Sequence, residues 1–139
     1  MKKKVGGWAW VCYDDDGKVT QDYGGAFDTT NNRMEMTAAI RALESNKEKE
    51  ITIYSDSEYL VNGMTKWLKS WISKGKLNSM KNPDLWKMLS ILVAERNVRW
   101  EWVKGHAGCQ GNEIADNLAQ LFVEKNCGFT FEKTKYKKR

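Results

Sequence analysis

The sequence predicts a single α/β domain built on a mixed sheet flanked by helices, and three observations point there. Short β-favouring runs alternate with helical periodicities in the order ββ-α-β-α-α-β-α. The length of 139 residues suits one domain with a sizeable core. No internal repeat or low-complexity block interrupts the pattern, so one domain is expected over residues 1–139, with a basic tail from about 130.

The elements follow in order. "GGWAWVCY" and "VTQDYGGAF" flank "DDDGK", which predicts a β-hairpin over residues 7–27. Asp14 to Asp16 then have a structural role, because Asp side chains hydrogen-bond their own backbone in turns. "TTNNRMEMTAAIRALESNK" reads as a helix capped by Thr30 or Asn31, with Met36, Ile40 and Leu43 on one stripe. "EITIYSD" is a strand that ends at Asp56 and feeds a helix, "SEYLVNGMTKWLKSW", where open α/β sheets place their sites. "ISKGKLNSMKNP" is a surface connection carrying the only proline. A helix "DLWKMLSILVAE" follows with Asp84 as N-cap and Trp86, Leu89 and Val93 on one face. "NVRWEWV" alternates as a strand, "KGHAGCQGN" is a glycine-punctuated loop, and "NEIADNLAQLFVEK" is a final helix.

Composition narrows the function. No apolar run approaches the roughly 20 residues of a membrane span, so no membrane partner is expected. "MKKK" has no apolar segment behind it and is not read as a secretory signal. Three cysteines, Cys12, Cys109 and Cys127, have no C-x-x-C spacing, and their odd number argues against a disulfide framework. A reducing, cytoplasmic location is expected. The net charge of +5 and the isoelectric point near 9.1 suit an anionic partner. Lys66, Lys69, Lys74, Lys76 and Lys81 share a stretch with Trp67 and Trp71, and Trp86 lies just beyond. That combination suits phosphate neutralisation with stacking, or equally a solvated helix with its tryptophans buried. The terminal "EKTKYKKR" is expected to be a solvated, frayed tail.

Three carboxylates stand out: Glu35, Asp56 and Asp116. Glu35 has an ordinary explanation in a helix's first turn, and Asp56 one at a helix N-terminus. Asp116 sits between Ile114 and Leu118 on the final helix, where an exposed carboxylate is less comfortable. A strand end and two helices on one sheet would bring the three together. Crowded carboxylates repel, and Mg²⁺ is a natural relief, whereas zinc would want a His or Cys set that the chain lacks. The lone histidine, His106, lies in the loop before the Asp116 helix and suits proton transfer.

"TTNNRMEMTAAIRAL", "YSDSEYLVNGMTKWLKSW", "KNPDLWKML", "WEWVKGHAG" and "NEIADNLA" occur in order, and together they closely resemble cellular type 1 ribonuclease H from about Gly6 to Phe122. The resemblance implies the ribonuclease H fold and hydrolysis of the RNA strand of RNA–DNA hybrids with Mg²⁺ or Mn²⁺. A two-metal mechanism leaving 5′-phosphate and 3′-hydroxyl ends is implied with it. By motif match, Glu35, Asp56 and Asp116 take the places of metal ligands and His106 that of the auxiliary histidine. Thr30, Asn31 and Arg33, with Asn32 beside them, match a pocket for a DNA phosphate. The stretch with Trp67, Lys69, Trp71, Lys74 and Lys76 matches the family's basic protrusion.

Three departures accompany the match. Glu58 stands where the family commonly has Gln or Asn, and the basic protrusion is a few residues short. The family's first strand, central in its sheet and bearing a fourth metal-binding aspartate, has no counterpart ahead of "GGWAW". The first hairpin is therefore expected to pair directly with the strand at residues 51–54, or to borrow a strand from another molecule. A monomer is expected, with a strand-swapped dimer as the alternative. A catalytically silent hybrid-binding module is the alternative function. Aligning "WVCYDDDG" as the first strand, with Asp14 as the ligand, would leave too little chain for the hairpin that follows.

Overall fold

The structure, a computed structural model, describes residues 5–13, 16, 18–94, 96–103, 130–131 and 134–138. β1 (Val5–Tyr13) and β2 (Val19–Phe27) form the expected antiparallel hairpin, in register from Val5 opposite Phe27 to Tyr13 opposite Val19. Trp8, Trp10 and Cys12 join the main core, while the alternate residues Ala9 and Val11 are also buried, so β1 is covered on both faces. Thr30 caps α1 (Asn31–Ser45), its Oγ1 accepting the Arg33 backbone N–H at 3.2 Å. The small residues Ala38, Ala39 and Ala42, all fully buried, let this helix lie close to β1 and to the fourth helix.

β3 (Glu50–Ser55) runs parallel to β4 (Asn97–Trp102). With β5 (Thr130–Phe131) and β6 (Thr134–Lys138), the strand order is β2-β1-β6-β3-β4, the short β5 lying beside β1. The central strand, β6, is antiparallel to β3, from Ser55 opposite Thr134 to Ile51 opposite Lys138. It is parallel to β1, with Cys12 opposite Tyr136. Two expectations are thereby corrected. The basic tail is not frayed over these residues, and the first hairpin does not meet β3 directly, because a strand of the same chain lies between them. The reason is backbone hydrogen bonding: the facing edges of β1 and β3 present N–H and C=O groups that must be paired, and any extended segment can pair them.

The helix expected after Asp56 is not uniform. It comprises α2 (Glu58–Asn62), a π-helical turn (Gly63–Trp67) and α3 (Leu68–Ser73), followed by a 3₁₀ turn at Leu77–Ser79. The cause lies in packing. Trp86 is fully buried, and its ring lies against Gly63 so closely that a Cβ there would overlap the ring carbons. A helix pressed on an aromatic ring accommodates it by widening one turn. Trp86 Nε1 donates to the Tyr59 hydroxyl at 3.2 Å, its ring lies 5.5 Å edge-on from Trp71, and Trp71 lies 5.9 Å from Trp67.

α4 (Pro83–Val93) begins earlier than expected. Its N-cap is Asn82, in the left-handed region at φ 57°, and Pro83 takes the first helical position that its fixed φ favours. Asp84 therefore lies inside the first turn and is not the cap. The final helix, His106 and Asp116 lie outside the described residues, as do Asp14 and Asp15.

Two measurements check this architecture. Gly63→Ala is expected to cost about 1–3 kcal/mol in denaturant unfolding, the range for overpacking a filled core. Truncation before Thr134 is expected to abolish the cooperative unfolding transition seen by circular dichroism and to produce associated species by gel filtration, because two strand edges lose their partner.

Candidate active site

Two of the three candidate carboxylates lie at the carboxyl end of β3, Asp56 by its place in the chain and Glu35 through its contact with Ser55. Glu35 lies beyond the first turn of α1 and is only 1% exposed, so the helix dipole does not account for it. Ser55, also buried, donates its hydroxyl to Glu35 Oε1 at 3.3 Å and accepts the Ser57 N–H at 3.1 Å. Asp56 follows at once and is half-buried. β4 pins this turn: the Val103 N–H donates to the Ser55 carbonyl at 2.9 Å, and Trp102 Nε1 donates to the Asp56 carbonyl at 3.2 Å. Sequence reasoning missed Ser55 and Trp102. Neither residue type signals a role by itself, since each acts through the carboxylate or carbonyl that it holds.

Burying a carboxylate is costly unless charge or hydrogen bonds compensate. The donor set here is oxygen only, from Glu35 and Asp56, which fits a hard divalent cation. Among the described residues these two do not extend to a cluster of three acidic, His or Cys side chains.

Thr30, Asn31 and Asn32 are exposed at the start of α1. Arg33 crosses to the start of α4, where Nη2 donates to Asp84 Oδ2 at 2.8 Å and Nη1 donates to Asp84 Oδ1 and Asn82 Oδ1, both at 3.1 Å. The hydrogen bond to Arg33 holds the Asp84 carboxyl below its ordinary range, and the same bond raises the Arg33 guanidinium further. Lys66, Lys69, Lys74, Lys76 and Lys81 are exposed. Trp67 is 38% exposed, whereas Trp71 is half-buried against Trp86, so the two tryptophans divide between the surface and the packed reading. A groove of about 840 Å³ lies between α3, the end of α4 and β4, with Leu68, Val93 and Trp100 among its lining. Of the expected site residues that lie among the described residues, Lys69 alone reaches it.

The sequence pattern of RNase H matches residues 1–124. The chain belongs to the ribonuclease H family. A ribonuclease H of Methylobacillus flagellatus is 48% identical over 129 residues, covering 88% of this chain and 84% of that one. A ribonuclease H of Ruthia magnifica is 45% identical over 128 residues, covering 87% and 86%. Among solved structures, LC9-RNase H1, described as a type 1 RNase H with the type 2 active-site motif, superposes with a TM-score of 0.69 at 25% identity, covering 91% of this chain and 74% of that one. A foamy viral protease-reverse transcriptase shares the fold at 19% identity and a TM-score of 0.68, over 88% of this chain and 20% of that one. In this ribonuclease H, the family's helix "TTNNRMEM" supplies both Glu35 and Arg33, one to the buried strand end and the other to the surface.

The Asp84 shift carries a sign. A carboxyl lowered by its partner contributes stability that is full above the ordinary carboxylate range and fades as the pH falls through the lowered value. Asp84 is 58% exposed, so solvent screening limits the pair to about 1 kcal/mol or less. The stability difference between the wild type and Asp84→Asn is expected at pH 7 and should vanish in strong acid, as read by thermal unfolding across pH.

Proposed function

We propose that this ribonuclease H hydrolyses the RNA strand of RNA–DNA hybrids. The observation that carries the reading is a buried carboxylate, Glu35, steadied by Ser55 at the strand end that bears Asp56. Glu35 and Asp56, with Asp116, would hold Mg²⁺ or Mn²⁺. When bound, two such ions supply an activated water and stabilise the leaving 3′-oxygen, giving 5′-phosphate and 3′-hydroxyl ends.

The chain's own residues do the rest. Ser55 orients Glu35 through its hydroxyl, and Trp102 and Val103 hold the strand end against drift. Thr30, Asn31, Asn32 and Arg33 bind a phosphate of the DNA strand. Trp67, Lys69, Trp71, Lys74 and Lys76 follow that strand further along, by charge and by ring contact. Contacts to 2′-hydroxyls select the RNA strand. His106 moves a proton near the leaving oxygen. The enzyme acts as a monomer in the cytoplasm.

One observation favours a second reading, hybrid binding without cleavage. On the central strand, the position across from Ser55 is Thr134, a residue with no carboxylate to add to Glu35 and Asp56.

A labelled hybrid incubated with the 139-residue chain and Mg²⁺ or Mn²⁺ separates the two. The enzyme reading expects cleavage that Asp56→Asn lowers on the order of 100-fold or more, the upper end of losses when a metal's surroundings are changed. Binding without cleavage, unchanged by Asp56→Asn, would establish the second reading instead.

A further inference from the structure

β2 ends the sheet, so among the described residues no strand pairs its outer edge. An open edge presents unpaired N–H and C=O groups, and proteins commonly guard it with charges, a proline, a bulge or shortness. β2 has little of this protection. It runs for nine residues without a proline, pairs with β1 without a bulge, and carries a single charge, Asp22. β4, at the other end of the sheet, holds both Arg99 and Glu101 in six residues.

Side chains two apart on a strand share a face, so Val19, Gln21, Tyr23, Gly25 and Phe27 form one row along β2. Its large apolar members are exposed, Val19 at 46%, Tyr23 at 36% and Phe27 at 54%. Val19 and Phe27 lie equally far from Tyr23 on either side, so the row is symmetrical about that residue. A second copy related by a two-fold axis at Tyr23 therefore matches it antiparallel: Val19 meets the partner's Phe27, Tyr23 meets the partner's Tyr23, and Gln21 meets the partner's Gly25. On the opposite face Asp22 meets the partner's Gly24, so no like charges stand across from each other. Lys18 and Asp28, both exposed, flank the strand symmetrically, which sets Lys18 across from the partner's Asp28. An ammonium has three donors, so Lys18 can serve that carboxylate beside its contacts within its own chain. Neighbouring registers are poorer. Sliding by two residues one way sets Asp22 against the partner's Asp22, and the other way sets Tyr23 against glycine and Phe27 against glutamine.

The Tyr23 N–H is donated to Asp22 Oδ1 at 2.8 Å. A residue in an antiparallel pair turns its N–H and C=O to one side, and this N–H, taken by an exposed side chain, faces the open edge. At the two-fold axis the two Tyr23 residues exchange both backbone hydrogen bonds once Asp22 releases it.

We propose that the chain forms a weak two-fold dimer by pairing β2 with β2 of a second copy around Tyr23, and that Asp22 restrains this association by occupying the N–H at its centre. No strand is exchanged. β3 lies three strands from β2, so each copy keeps its own candidate site and a single chain remains the acting unit. One strand pair is a small isologous interface, below the roughly 1,200 Å² of a standard one, so the dimer forms only at high concentration.

The test is sedimentation velocity of the full chain over a wide concentration range, in reducing buffer without nucleic acid. The mean mass is expected to rise with concentration from that of one chain, 16.1 kDa, toward that of two. Tyr23→Lys, which sets two ammonium groups face to face at the axis, is expected to hold the mass at one chain throughout. Asp22→Ala is expected to tighten the dimer about 3- to 10-fold, the worth of a hydrogen bond or so. On oxidation, Tyr23→Cys is expected to link two copies beyond the wild-type level, whereas Gln21→Cys, which faces the partner's glycine, is expected to stay at that level. Circular dichroism confirms that each variant is folded. A one-chain mass for the wild type at every concentration overturns the proposal, as does association that survives Tyr23→Lys or equal linking by the two cysteine variants. An unchanged or weaker dimer in folded Asp22→Ala overturns the restraint assigned to Asp22.

Discussion

Trp86 must bury a large ring while finding an acceptor for its one N–H, and both demands are met in a single place. The ring presses on Gly63, which widens the helix after Asp56 into a π-helical turn and sets where α3 starts. Its N–H finds the Tyr59 hydroxyl, and the same hydroxyl receives the Asn82 amide and donates to the Lys81 carbonyl at 3.4 Å. Outward from Trp86, the rings of Trp71 and Trp67 continue in series until Trp67 meets solvent. One buried side chain thus organises the helix that carries the basic surface, and through Asn82 it also governs the lodging of Arg33 on α4.

The two functional faces of α1 are separated by only a short piece of helix. Arg33 is partly exposed and belongs to the surface, whereas Glu35 is buried against the end of β3. A rigid helix fixes the distance between a charged surface contact and a buried carboxylate without help from loops. The strand end has a comparable economy: Ser55 turns its hydroxyl to Glu35 while its carbonyl is held by Val103, so one residue ties α1, β3 and β4 together.

Local chemistry in the sequence was enough for elements whose determinants are neighbours in the chain. The β1–β2 hairpin and the Thr30 cap follow from aromatic and β-branched runs, turn residues and a hydroxyl three residues ahead of its N–H. The π-helical turn was not readable, because it arises from a tryptophan on another helix. Asp84 read as an N-cap because a residue before proline normally avoids the left-handed region; Asn82 departs from that rule with support from Tyr59 and Arg33, which are distant in sequence. "TKYKK" read as a tail because central strands are usually near-continuous apolar runs. Its lysines conceal a role that is set by the needs of two other strands. At the site, Glu35 and Asp56 were visible as residue types in place, but the burial of Glu35 and the bridging hydroxyl of Ser55 belong to packing.

The central position of β6 also orders the assembly of the sheet in time. Its neighbours β1 and β3 are made early in synthesis, and β6 is made after both. Until it emerges, neither can gain its inner partner, so closing the sheet joins segments from distant parts of the chain. Such non-local pairing is slow and leaves intermediates with unpaired edges. A ribosome carrying most of this chain would hold a hairpin and a parallel strand pair still waiting for the strand that unites them.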